Sequence, residues 1–408
     1  MKVTAVVGAR PQFVKAAPVS AALAAAGHVE RLVHTGQHYD PALSADQFKV
    51  LGLRDPDLNL AVGPGSIPAQ TARMLEGLAD DFSRERPDWV VVYGDTTSTL
   101  AAALAASQLR IPLAHVEAGL RSFDRDMPEE RNRVLTDQLA ELLLCPGPAA
   151  AAQLAREGVP GRAAVVGDVM LDAVRVYLPH AGPAPLERLG LQPGGYCLAT
   201  LHRASNTDDP ARLVAWFEAL AALPLEVVLP LHPRTRAALE RARPAWLQQA
   251  PAGLRLIPPL TYVETLGLAQ RAARVLTDSG GLQKEAYFLG VPCVTLRRQT
   301  EWVETVEHGW NALAEPWRPS RPRSRASPES RPPLYGDAPP RPTGRGRAGG
   351  ARPGAAAAGG ATLTRVAEQI GPYVMFDEIS RGHGDRLPGL PDRAGDAGRA
   401  QASCTTSG

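Results

Sequence analysis

Short β-branched and aliphatic runs alternate along this chain with Ala/Leu-rich stretches of helical character. Val3–Val7 predicts a strand, followed by a helix over Pro18–Ala26, and Arg31–His34 predicts a second strand. Val90–Tyr93 predicts another, leading into a helix over Leu100–Leu109 and a strand over Ile111–Val116. This order implies βαβ units and a parallel sheet. A break falls near Val169–Pro193, where a helical stretch gives way to Pro- and Gly-containing sequence. The pattern then restarts with Tyr196–Leu201, Glu226–Leu231, Arg255–Ile257, Arg274–Thr277 and Pro292–Leu296. The expected fold is α/β, with two Rossmann-like, doubly wound domains over residues 1–170 and 171–313. A ligand would sit in the cleft between their strand ends.

From Ala314 the pattern stops. Between Ala314 and Ala361 the large apolar residues are Trp317, Leu334 and Tyr335, amid Arg, Pro, Gly, Ser and Ala. Such a composition does not repay the entropy of ordering, so residues 314–408 are expected to be mostly disordered. A short helical pattern at Leu363–Ile370 and an apolar patch at Tyr373–Phe376 interrupt this tail.

Composition narrows the function classes. The 408 residues are 44% apolar and 21% charged, with a formal net charge of +2, enough for two ordinary cores and too balanced for a general nucleic-acid binder. Cys145, Cys197, Cys293 and Cys404 have no short spacing, which argues against a zinc site and for reduced thiols. The first residues form a strand rather than a signal-like region, and no apolar run reaches the ~20 residues that span a bilayer. A soluble cytoplasmic protein is the expectation.

Carboxylates are placed where strands end. Ile111–Val116 runs into Glu117, and Glu129 and Glu130 follow at the mouth of a helix. Upstream, Trp89–Gly94 ends in Asp95. Acids at the end of buried strands are costly to desolvate, so this group is a candidate for proton chemistry. Cations and glycines gather elsewhere. The turn Gly8–Lys15 carries Arg10 and Lys15 but has neither dinucleotide-fingerprint nor P-loop spacing, so no NAD or ATP cofactor is indicated. In Thr277–Glu285, Ser279, Gly280 and Gly281 end a strand and open a helix, a cradle for a diphosphate, with Glu285 placed for a sugar or ribose hydroxyl. His202-Arg203, His232-Pro-Arg234 and Arg297 follow strands and add an anion site. Thr96–Thr99 reads equally as a helix cap, Asp124 and Asp126 as solvent-facing loop residues, and Thr35–Asp40 as turn chemistry. No metal-ligand spacing is present.

Taken in order, the motifs resemble those of the non-hydrolysing UDP-N-acetylglucosamine 2-epimerases. The resemblance spans residues 1 to about 313 and rests on Gly8–Val19, Thr35–Asp40, Val92–Ala106, His115–Arg133, Val166–Ala173, Thr200–Asp209, Pro230–Thr235 and Thr277–Arg297. It implies a glycosyltransferase-B-like fold, a homodimer, and inversion at C2 of the sugar of UDP-GlcNAc through UDP elimination and a 2-acetamidoglucal. It implies neither NAD nor a metal. Asp95, Glu117 and Glu129 match the family's catalytic carboxylates and His202 its active-site histidine. Arg10, Lys15, Ser279, Gly280, Gly281, Glu285 and Arg297 match substrate contacts. Ser205 and Arg298 stand where relatives carry acids, and the tail departs from the family pattern. Thr35–Asp40 with Arg121–Glu130 also resembles the branch acting on UDP-2,3-diacetamido-glucuronic acid, which is the alternative substrate. A non-catalytic sugar-nucleotide-binding protein is the reading left if the altered tail abolishes activity.

Overall fold

A computed structural model describes residues 1–37 and 45–316 of the chain. The expectations for residues 317–408, including the two tail patterns, lie outside the described residues, as do His38–Asp40.

Thirteen strands are described among these residues, in two parallel sheets. The first holds β1 (Lys2–Val7), β2 (Val29–His34), β3 (Leu58–Asn59), β4 (Trp89–Tyr93), β5 (Leu113–Val116), β6 (Leu142–Cys145) and β7 (Arg162–Val165), in the order β3-β2-β1-β4-β5-β6-β7. The second holds β8 (Tyr196–Thr200), β9 (Glu226–Pro230), β10 (Leu254–Ile257), β11 (Arg274–Thr277), β12 (Cys293–Thr295) and β13 (Asn311–Leu313), in the order β10-β9-β8-β11-β12-β13. Each sheet reverses its direction of winding beside its first strand, between β1 and β4 and between β8 and β11. In doubly wound sheets such reversals open crevices at the carboxyl strand ends.

Period-two alternation sends side chains to both faces of the first sheet. Val3, Ala5 and Val7 join Trp89, Val91 and Tyr93 in one core, while Val6, Val90 and Val92 fill another. Burial on both faces explains why the strands read as unbroken apolar runs. Trp216 and Phe217 anchor the second unit's core. The two units also touch: Tyr262 and Leu266 pack into the first unit's core, and Tyr177 meets Tyr262 edge-on at 5.6 Å.

The first helix and four short strands differ from the sequence expectation. The first helix runs Arg10–Ala25, starting well before Pro18. Pro11 occupies its opening turn, where a missing N–H costs nothing, and Pro18 is accommodated inside. Arg10 and Lys15 therefore ride on a helix rather than a loop. Strands β3, β6, β7 and β13 were not expected from the sequence. They are two to four residues long, and β6 is a leucine run that periodicity cannot separate from a helix.

Candidate active site

The carboxyl ends of β1, β4 and β5 bring three chain segments together. Gln12 fixes the first: its Oε1 accepts from the Gly8 and Ala9 N–H groups at 2.8 and 3.1 Å. Its Nε2 donates to the Tyr93 carbonyl and the Thr99 hydroxyl, both at 3.0 Å. Thr96 caps the Thr97–Gln108 helix in a reciprocal capping box with Thr99, so this run serves as a cap. Thr35 and Gln37 are likewise structural at their described atoms, bonding Ser98.

Asp95 lies beside the switch point. Its carboxylate pairs with Arg133, and its backbone carbonyl accepts from Asn132 Nδ2 at 2.9 Å. Burial opposes its charge, but Arg133 and Lys15 outweigh that and hold its carboxyl below the ordinary range. Glu117 pairs with Lys15 from the first helix. Burial dominates here, and Asp168 and Asp95 add repulsion, so despite Lys15 the Glu117 carboxyl is pushed above the ordinary range. The backbone of Glu117 is left-handed, with φ 73°. Such strain in a non-glycine residue persists only where the surroundings enforce it. Just before Asp95, Gly94 has φ 59°, and a β-carbon there would lie 3.1 Å from Lys15 Nζ and 3.3 Å from Glu117 Oε2.

Glu129 and Glu130, adjacent in sequence, do different things. Both sit in the first turn of the Pro128–Leu139 helix, where a negative charge suits the dipole. Glu130 is buried and spent on the fold, accepting from the Ser122 and Phe123 N–H groups at 2.9 Å and from Arg133 at 3.0 Å. Glu129 reaches across the cleft to Arg203 of the second unit at 2.7 Å. Asp126 is exposed, and Asp124 accepts from its N–H at 3.1 Å.

On the facing edge, buried Asp278 organises the turn after β8. It accepts from the N–H groups of His202 and Arg203 at 2.9 and 2.8 Å and from Asn206 at 3.1 Å. His202 stacks on His232 with ring centroids 5.1 Å apart. Burial lowers the imidazole's affinity for a proton, and Arg203, Arg10 and Arg234 add to this against the pull of Asp278. Ser279 caps the Gly280–Phe288 helix, accepting from Leu282 N–H at 3.5 Å. The first N–H groups of any helix lack partners within it, so this end presents donors to an anion. A β-carbon on Gly280 would collide with Glu301 Oε1. Arg297 is paired with Glu301 at 3.0 Å and touches Met127 Sδ of the first unit at 3.6 Å. Glu285 is buried beside Arg10. Burial pushes its carboxyl up to about 7 in spite of Arg10, whose own affinity for its proton burial lowers.

The structure thus brings Asp95, Glu117, Glu129 and Lys15 together at one edge. Arg10 meets Glu285 between the units, and His202, Ser279, Gly280, Gly281 and Arg297 occupy the other edge. Arg133, Asn132, Asp278 and Glu301 also take part and were not singled out from the sequence; the first three meet partners 37 to 76 residues away, whereas Glu301 meets Arg297 four residues away. A small cavity next to Glu117 is lined by Leu144, Pro146, Asp168 and Asp172, and burial pushes Asp172 up to about 6. Among the described residues no group of three or more His, Cys, Asp or Glu side chains is placed to hold a metal ion, and no helix is long and apolar enough to cross a membrane.

Known proteins resemble this chain in sequence and fold. The family model described as UDP-N-acetylglucosamine 2-epimerase matches residues 21–320. A UDP-2,3-diacetamido-2,3-dideoxy-D-glucuronate 2-epimerase of Pseudomonas aeruginosa is 49% identical over 325 residues, covering 77% of this chain and 88% of the relative. The crystal structure of Methanocaldococcus jannaschii UDP-GlcNAc 2-epimerase in complex with UDP-GlcNAc and UDP is 40% identical, with TM-score 0.73 over 77% of this chain and 89% of that one. That of the Neisseria meningitidis enzyme bound to UDP-GlcNAc is 30% identical, with TM-score 0.69 over 78% and 88%.

Proposed function

Because this chain belongs to the UDP-N-acetylglucosamine 2-epimerase family and is therefore an isomerase, we propose that it interconverts UDP-GlcNAc and UDP-ManNAc. A carboxylate removes the C2 proton, the electron pair forms the C1=C2 bond of a 2-acetamidoglucal, and the C1–O bond to UDP breaks. A proton is then returned to C2 from the opposite face and a UDP oxygen re-adds to C1. The observation that carries this reading is the division of the cleft. Asp95 and Glu117 lie on the first edge, and Glu129 reaches from it to Arg203 beside the His202 turn. Two acids whose environments push their proton affinities in opposite directions suit removal and return of a proton. The open donors of the Ser279–Gly281 helix end and the nearby His202 support a diphosphate site there, where positive groups would ease departure of UDP.

The 49% identity to a diacetamido-glucuronate epimerase favours a second reading, in which the same inversion acts on a UDP-diacetamido uronate. We propose further that the chain forms a homodimer in the cytoplasm and supplies precursors of cell-surface polysaccharide. The test is incubation of the purified full chain with each UDP-sugar in heavy water, followed by NMR. Deuterium at C2 together with the 2-epimer of UDP-GlcNAc is the expected result. Turnover of the uronate alone would replace the primary substrate, and binding of both without exchange would overturn the catalytic reading.

A further inference from the structure

Behind the carboxylates lies a buried polar cluster of Asp137, His115 and Arg121. Asp137, two turns along the helix that bears Glu129 and Arg133, has no exposed surface. Its Oδ1 accepts from His115 Nδ1 at 2.7 Å. Its Oδ2 accepts from the Gly119 N–H at 3.2 Å and from Arg121 Nη1 at 2.7 Å. His115 Nε2 donates to the Gly94 carbonyl at 2.8 Å. A carboxylate and a backbone carbonyl both accept, so each ring nitrogen of His115 faces an acceptor, one from the helix and one from the turn. Arg121 is in turn clamped by Glu157 at 2.6 and 2.9 Å. Burial opposes the Asp137 charge, yet His115 and Arg121 outweigh it and hold its carboxyl below the ordinary range.

The geometry of this cluster is selective. Gly94 immediately precedes Asp95, and Gly119 follows Glu117 by two residues. Through His115 and directly, one carboxylate therefore holds the turn before Asp95 and the turn after Glu117. It does so from the helix that also presents Asn132 and Arg133 to Asp95 and Glu129 to the second unit. The Glu117 turn is left-handed and needs outside enforcement, which the Gly119 bond supplies. A packing role alone would be met by apolar residues at lower desolvation cost. We propose that His115 and Asp137 are positioning residues for the epimerisation. They set the distance and direction between the Asp95 and Glu117 carboxylates without touching the substrate.

This inference rests on the C2 chemistry proposed above, and the test separates the two. Wild-type enzyme is first required to exchange the C2 hydrogen in heavy water; failure there sinks the C2 reading itself. Against that reference, His115→Asn keeps a donor near Asp137 but withdraws the one at Gly94, whereas His115→Gln keeps the donor at Gly94. His115→Asn and Asp137→Asn are expected to lower kcat and C2 exchange about 10- to 100-fold, the cost of a misplacement near 1 Å, with KM and UDP affinity within about twofold. His115→Gln is expected to recover most of that loss. Folded variants with wild-type kcat, or with kcat and UDP affinity falling together, overturn the inference. If His115→Asn and Asp137→Asn do not fold, Arg121→Gln, which leaves the bonds of Asp137 to His115 and to the Gly119 N–H intact, takes their place. It is expected to lower kcat about threefold at unchanged KM, since a weakened clamp misplaces the turns less, and unchanged kcat overturns the inference.

Discussion

The two edges that face each other across the cleft hold charge by different means. On the first, each carboxylate has its own cation: Arg133 for Asp95, Lys15 for Glu117, and Arg203, borrowed from across the cleft, for Glu129. On the second, a buried carboxylate, Asp278, orients backbone N–H groups, and a capped helix end with two glycines offers further donors. Side-chain pairing suits groups that must exchange protons, because a neighbouring cation tunes each acid separately. Backbone donors suit a group that must be held without reacting, because they cannot be titrated away. The same parallel architecture thus carries an edge of paired acids and an edge of oriented backbone donors.

The largest expected effect tests the first of these edges. Asp95→Asn and Glu117→Gln should each lower turnover by about 10³-fold or more, within the range for loss of a placed proton-transfer group. UDP affinity by calorimetry should stay within about threefold. Loss of UDP binding in either variant would erase the distinction between the edges. A smaller effect tests the second edge. Gly280→Ala forces Glu301 aside and disturbs its pair with Arg297. UDP affinity should fall about tenfold, or about 1.4 kcal/mol, while turnover at saturating substrate changes much less.

The smallest effect concerns the seam between the units. The Glu285 carboxyl is raised from 4.5 to about 7 in the fold. A raised carboxyl favours folding while protonated, so its contribution is full below pH 4.5, declines as pH rises towards 7, and is absent above. Glu285→Gln mimics the protonated form. It should therefore stabilise the unliganded protein at pH 8 by about 1–3 kcal/mol and leave it unchanged near pH 4, at about 1.4 kcal/mol per pKa unit. A thermal melt at the two pH values decides it, and equal shifts at both would detach Glu285 from the linkage.

Much of this was legible before the structure. The long apolar runs Val3–Val7 and Val90–Tyr93 had to be buried strands, and acids or cations directly after them had to face the carboxyl edge. What escaped was set by tertiary contact. Glu130 carries the same charge as Glu129 one residue away, and only the path of the Ser122–Phe123 backbone makes it a structural anchor. Asp278 meets His202 across 76 residues and Arg133 meets Asp95 across 38, distances at which no local pattern exists. The start of the first helix was hidden by Pro11, which usually punctuates sequence and here opens the helix.

The pairing of acids with cations has a consequence for how a nucleotide sugar arrives. Opposite charges a few ångströms apart cancel at distances beyond the ~8–10 Å over which salt leaves any field intact. An incoming diphosphate therefore feels little pull until it reaches contact, and capture is governed by shape and donor geometry rather than by steering through solvent. Ionic strength should matter little to the rate of encounter, and the groove tells its ligand from other polyanions only once the two have met.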